Sequence, residues 1–111
     1  MRQFMTTTVE QRKDFTGAFS THPMETAWAG EAIFFITVEK VSGNAALLHA
    51  RVQLSVDGVN WLDEGTAFSP LNKPGQYFVR VSHFGGWLRL NVDIEGEDSV
   101  FNLTIHLVLK E

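Results

Sequence analysis

Four histidines, His22, His49, His83 and His106, are the first side chains to test for chemistry. A tetrahedral zinc site needs three or four converging ligands. No two of these histidines stand at the i,i+4 spacing of a helix or the i,i+2 spacing of a strand. They read as isolated surface or edge residues, with a meeting of His49 and His106 across a sheet as the one pairing left open. The chain has no cysteine, which removes disulfides, thiolate chemistry and Cys-based zinc. The acidic run Asp93-Ile94-Glu95-Gly96-Glu97-Asp98 offers carboxylates around a turn, as calcium prefers, but not in the order of a calcium loop. It reads as a solvated turn that keeps sheet edges apart, with a weak cation site as the alternative.

Catalytic constellations are hard to assemble from this chain. No Gly-x-Ser-x-Gly elbow is present, and no serine is matched to a His and an Asp by spacing. Asp63, Glu64 and Asp93 could supply paired carboxylates, yet they fall near turns, where exposure is the default. Gly85-Gly86 joins strand to strand, with no helix N-terminus behind it to cradle a phosphate. The expectation is a protein that is not an enzyme and takes no cofactor or metal. What remains is aromatic. Trp28, Trp61, Trp87 and Tyr77 could offer faces for stacking, to a sugar ring or to a protein partner.

The elements that must carry these side chains are strands. In Arg51–Trp61, Val52, Leu54 and Val56 alternate with Arg51, Gln53 and Ser55, the period-2 pattern of a half-buried strand. Asp57-Gly58 then supplies a hairpin turn. With a loop of two residues or four, Val56 and Trp61 share a face, so Trp61 is expected in the core. Glu31–Val41 is apolar on both faces, which predicts a central strand covered on both sides or covered by another subunit. Ala46–Val56, Asn60–Glu64, Gln76–His83, Trp87–Ile94 and Val100–Leu109 follow, separated by turn clusters. Leu88, Leu90, Val92 and Ile94 are expected inward, and so are Phe101, Leu103, Ile105, Leu107 and Leu109. Trp87 falls on the opposite side of its strand, exposed or packed under the Ser69–Gly75 loop.

Such spacing predicts an all-β fold, a single antiparallel β-sandwich of jelly-roll or immunoglobulin-like type spanning residues 31–111. Residues 1–30 form a less regular N-terminal segment, with short strands expected at Thr6–Val9 and Asp14–Phe19. Its large apolar residues need burial, either across its own sandwich or on a neighbouring subunit. Deleting residues 1–28 is expected to abolish assembly in the second case and folding in the first.

At 111 residues, 44% hydrophobic and 20% charged, the chain is one ordinary globular domain. Nine phenylalanines are a bulky supply for a sandwich core. The net charge of −4, with basic residues scattered, disfavours nucleic acid as a partner. The N-terminus lacks the apolar run of a signal peptide, and no stretch approaches the ~20 apolar residues of a membrane helix. A soluble chain made in the cytoplasm is expected, or one whose leader has been removed.

The unit Ser55-Val56-Asp57-Gly58-Val59-Asn60-Trp61, then Phe78-Val79-Arg80-Val81, then the Gly-Gly-Trp-Leu-Arg-Leu strand Gly85–Leu90 and a last strand Val100–Lys110 form a recognisable series. Over residues 45–111 it resembles small β-sandwich proteins encoded among phage and prophage structural genes. The same hairpin also resembles that of discoidin-type and other sugar-binding sandwiches. The first resemblance implies a non-catalytic structural or decoration role in a virion, shell or tail, through protein partners and homo-oligomer contacts. On that reading Phe4, Phe15, Phe19, Trp28 and Trp87 are the expected interface residues. On the alternative, a carbohydrate-binding module, the site comprises Trp87, Tyr77, Asn60 and Asp63.

Overall fold

The structure, a computed structural model, describes residues 4–82, 84 and 86–111, apart from the side chain of Arg12. His83 and Gly85 lie outside the described residues, and with them the expectations placed there. Among the described residues nine strands run in chain order. They are β1 (Phe4–Phe15), β2 (Ala18–Ser20), β3 (Met24–Glu25), β4 (Glu31–Ser42), β5 (Leu47–Ser55), β6 (Leu62–Ala67), β7 (Gly75–Ser82), β8 (Trp87–Glu95) and β9 (Val100–Lys110).

The pairing follows a rule. β1 pairs with β9, β2 with β8, β4 with β7 and β5 with β6, all antiparallel. With the two-residue β3 set aside, first pairs with last and second with second-last, as in one long hairpin. Rolling that hairpin up adds the contacts β4–β9 and β5–β8. The result is a four-stranded sheet β1-β9-β4-β7 packed on a second sheet β2-β8-β5-β6, with β3 extending the β2 edge. This is the jelly-roll form of the β-sandwich. The immunoglobulin-like alternative does not nest its strands in this way.

The core lies between the sheets. Ala32, Phe34, Ile36 and Val38 of β4 and the alternate residues Phe101 to Leu109 of β9 face Val52, Leu88, Leu90, Val92 and Leu48. Both apolar rows read from β8 and β9 are buried as expected. Phe68 and Leu71, from the loop after β6, are buried too and cap one side, where Leu48 and Leu71 exchange backbone hydrogen bonds.

The N-terminal segment lies across its own sandwich. β1 is one 12-residue edge strand rather than two short ones. Register shifts between Thr8 and Glu10 and between Glu10 and Lys13 break its alternation, so no clean period survives in the sequence. The chain then crosses to the other sheet at Gly17, whose φ of 65° suits a residue without a Cβ. Across this corner the Phe15 and Phe19 rings stack at 4.2 Å. Deleting residues 1–28 would therefore strip three strands and bare the edges of β9 and β8.

Between β2 and β3, Thr21 fills a gap in the β8 ladder. Its N–H donates to the Leu90 carbonyl at 2.9 Å, and its Oγ1 accepts the Leu90 N–H at 3.0 Å. Thr21 and Thr26 are buried, which is how an irregular stretch stays extended beside β8.

The β5–β6 connection corrects the sequence reading. It runs over residues 56–61 and is not a two- or four-residue turn. Ser55 is buried, whereas Val56 is 89% exposed. Side-chain caps explain this. Ser55 Oγ accepts the N–H groups of Asp57 and Gly58 at 3.2 and 2.9 Å, and donates to Asp57 Oδ1 at 2.8 Å. Asp57 Oδ1 accepts the N–H groups of Val59 and Asn60, each at 2.9 Å, and Oδ2 accepts from Asn60 Nδ2 at 2.9 Å. These bonds replace ladder bonds, so the strand ends at Ser55 and the parity that placed Trp61 in the core is lost.

Candidate interaction surfaces

Two outer faces remain once the inner rows have packed, and they differ in chemistry. On the five-stranded sheet the outward residues of β8 and β5 face one another in register, with Gln53 opposite Arg89 and Ser55 opposite Trp87. Asp63 of β6 stands opposite Gln53. A polar relay results. Asp63 Oδ1 accepts from Gln53 Nε2 at 2.9 Å and lies 3.1 Å from Arg51 Nε. Gln53 Oε1 accepts from Arg89 Nε at 2.8 Å. The Arg89 guanidinium sits 4.3 Å from the centre of the Trp61 ring, a cation–π contact. Trp61 is thus half-buried on the outer face, not in the core. Desolvation lowers the Arg89 guanidinium from its usual value, and a guanidinium stays charged nonetheless.

Trp87 packs against the β5–β6 loop rather than the Ser69–Gly75 loop. A Cβ built on Gly58 would come within 3.2 Å of its indole, and Gly58 has a φ of 78°. The multiple donors around Asp57 (the Asn60 and Val59 amides first, then the Asn60 and Ser55 side chains) hold its carboxyl far below the ordinary carboxylate range. The loop beside the two tryptophans is accordingly pinned by an ionised residue.

The outer face of the four-stranded sheet is nearly uncharged across its middle, with Glu31 and Lys110 paired at one end and Asp14 and Lys40 flanking Asn102 at the other. Register aligns its outward residues in rows across the strands. One row is Thr6–Val108–Ile33–Arg80 and the next is Thr8–His106–Phe35–Phe78. A third is Thr104–Thr37–Gln76, in which Gln76 Nε2 lies 3.4 Å from Thr37 Oγ1. Phe35 and Phe78 meet at 5.8 Å, and the Arg80 guanidinium stands 5.1 Å from the Phe78 ring centre. Phe78 is 51% exposed and Phe4, at the end of β1, 73%. β4 is central, as its sequence predicts, but within the chain its outer face is left half-covered.

The residues expected at sites are scattered by this arrangement. Phe15, Phe19 and Trp28 pack against the core of their own sandwich, while Phe4 projects from the sheet and Trp87 is half-buried against Gly58. Asn60, Asp63 and Trp87 belong to the β5–β6 hairpin and its neighbour β8. Tyr77 does not join them. It lies on β7 of the other sheet, donates its hydroxyl to the Lys73 carbonyl at 2.8 Å, and lines an open groove with Phe68 and Leu71. His49 and His106 are on different sheets and do not meet. His49 Nε2 instead lies 3.2 Å from Glu95 Oε1. Among the described residues no three His, Asp or Glu side chains converge as a metal site. Asp93 and Glu95 do share the outer face of β8, and both are exposed.

The Phe35–Phe78 pair and the Trp61–Arg89 stack were missed in the sequence. Their members come from strands far apart in the chain, and cross-strand register alone brings them together. The Trp61 position had a local signal: Ser55, Asp57 and Asn60 are all residues that cap free amides, which favours a broad loop over a tight turn.

No protein-family model matches the chain, and no curated protein matches it either. Among solved structures, a chain in the structure of the Gx strain of infectious bursal disease virus superposes with a TM-score of 0.65 at 12% identity. The match covers 98% of the present chain and 32% of the viral one. The likeness is therefore one of fold, and it extends over the whole sandwich, N-terminal strands included. No helix among the described residues is long and apolar enough to cross a membrane.

Proposed function

We propose that the protein is a non-catalytic structural subunit, or a decoration, of a large symmetric assembly such as a phage virion. The observation that carries this reading is the fold likeness over 98% of the chain to a chain of a virus. Jelly rolls also serve lectins and cupins, so the fold alone does not decide. The interior helps. The inner rows fill the space between the sheets with aliphatic and phenylalanine side chains, whereas a cupin-type site needs polar ligands there. Function is then left to the outer faces, and contact with proteins is what the aromatic, sparsely charged middle of the four-stranded face suits. In this reading Phe4 and Trp87 keep their place as candidate contact residues; Phe15, Phe19 and Trp28 act by shaping the subunit.

Density-gradient sedimentation of native material tests it. Comigration with a megadalton particle is the expected result. Migration of all the chain as a free species of one or a few subunits would overturn the proposal.

A second reading, a carbohydrate-binding module, draws support from the Trp61–Arg89–Gln53–Asp63 cluster, which combines an aromatic face with fixed polar groups. The site would comprise Trp61, Trp87, Asn60 and Asp63, without Tyr77. Glycan binding that survives Trp61→Ala and Trp87→Ala would remove this site.

A further inference from the structure

We infer that the outer face of the four-stranded sheet is a homotypic contact. A second copy of this chain packs on it face to face, about a two-fold axis that crosses the strands near the Phe35–Phe78 row. The inference rests on the reading of the protein as a subunit and names the surface through which copies meet.

The composition of the face suits a contact. Across the three rows described above, Arg80 alone carries a formal charge at neutral pH, and it is already laid over Phe78. The other outer face holds Arg51, Asp63, Arg89, Asp93 and Glu95. Interface centres lose charged residues and gain aromatics and arginine. The centre of the four-stranded face has that signature, with Glu31, Lys110, Asp14 and Lys40 confined to its two ends, whereas the charges of the five-stranded face run through its middle.

The face is also large enough. Strands of 8 to 12 residues, side by side in a sheet of four, define the face. At ~3.3 Å per residue and ~4.8 Å between strands it measures roughly 35 Å by 19 Å. That is about 650 Å² in projection, and more in accessible area because the surface is pleated. A stable interface takes about 800 Å² from each partner, so the contact uses the whole face, with the three uncharged rows at its centre and the Glu31–Lys110 and Asp14–Lys40 ends as its polar rim.

The face is self-complementary as well. An axis across the strands lays β7 over its own copy in the opposite sense. Phe78 meets Phe78, and the Arg80 row meets the Gln76 row. No arginine is set against its own copy, so association carries no like-charge penalty at the centre. The charges at the two ends of the face are of both signs, Glu31 with Lys110 and Asp14 with Lys40, which suits a second copy better than a strongly acidic or strongly basic protein.

Sedimentation equilibrium on the intact chain and on Phe78→Glu tests the surface, with Leu62→Glu as the control. Leu62 is 68% exposed on the other sheet, so both variants place a carboxylate at a solvent-facing site. The expected result is a wild-type dimer weakened about 100-fold by Phe78→Glu and unchanged by Leu62→Glu. A wild type that stays monomeric at ~100 µM overturns the inference, as does equal behaviour of the two variants. The absence of cysteine gives a second readout that tolerates a folding defect in Phe78→Glu. Under mild oxidation, Phe78→Cys should form a covalent dimer at least tenfold faster than Leu62→Cys; equal rates overturn the inference. A chain that runs in a particle while Phe78 variants leave its contacts intact refutes this surface and spares the subunit reading. A dimer sensitive to Phe78 that never enters a particle does the reverse.

Discussion

Replacing Thr21 by valine should cost the protein a measurable part of its stability, although the two side chains are nearly the same size. A strand residue turns its N–H and C=O to the same side, and Leu90 turns both toward the gap between β2 and β3. There Thr21 meets them, its amide on the carbonyl at 2.9 Å and its Oγ1 on the N–H at 3.0 Å. Valine keeps the first bond and removes the second. Thr21 is 2% exposed and Leu90 fully buried, so water has no easy route to the orphaned donor. Leaving a buried N–H unpaired costs about 1–3 kcal/mol. At about 4 °C per kcal/mol for a domain of this size, the melting temperature should fall by about 4–12 °C. Thr21→Ser, which keeps the oxygen and loses a methyl worth about 0.8 kcal/mol, should fall less. Chemical denaturation with all three proteins gives the free energies, and hydrogen exchange at the Leu90 amide gives the local effect. The reasoning fails if Thr21→Val lies within about 0.3 kcal/mol of wild type, or if serine proves the more harmful change.

Three further outcomes follow from the same geometry. The Asp57 carboxyl is held far below its unfolded value of about 3.9, so the stabilisation it gives is complete above that pH and is lost as pH falls toward the folded value. NMR of the Val59 and Asn60 amides should therefore show the loop intact at pH 4 and opening in stronger acid, and Asp57→Ala should open it at every pH. Gly43→Ala should cost more than about 2 kcal/mol in urea denaturation, because φ is 111° and the new Cβ would stand 2.7 Å from Ser99 Cα, a backbone atom that cannot swing aside. Leu103→Ala, at a fully buried position on β9, should cost about 2–5 kcal/mol without altering the oligomeric state; a loss below 1 kcal/mol by the same assay would contradict the packing described.

How far the fold could be read from residues varied with the strand. β8 and β9 were legible because each keeps an unbroken inward row of apolar residues from end to end. β4 was legible as central, but the full cover that its outward Ile33 and Phe35 led one to expect is not made within the chain, which leaves both half-buried. β1 was obscured by its two bulges, each of which shifts the faces by one residue. Trp61 was misplaced for a different reason. Val56 looks like the inward continuation of Val52 and Leu54, and only the caps made by Ser55 and Asp57 reveal that the strand has already ended. Strand order was beyond the sequence altogether, since nested pairing joins Phe4 to Lys110 and no local pattern encodes so distant a partner.

The nested order also bears on how the protein is made. β9 is the last strand in the chain, yet it sits between β1 and β4 in the middle of its sheet. While the ribosome adds residues at about 5–20 per second, the finished β1 and β4 must wait several seconds with unpaired edges. Neither can close on the other, because the strand that separates them has not yet been translated. Folding of the four-stranded half is thus deferred until β9 emerges, and the nascent chain depends through that interval on whatever shields open strand edges in the cell.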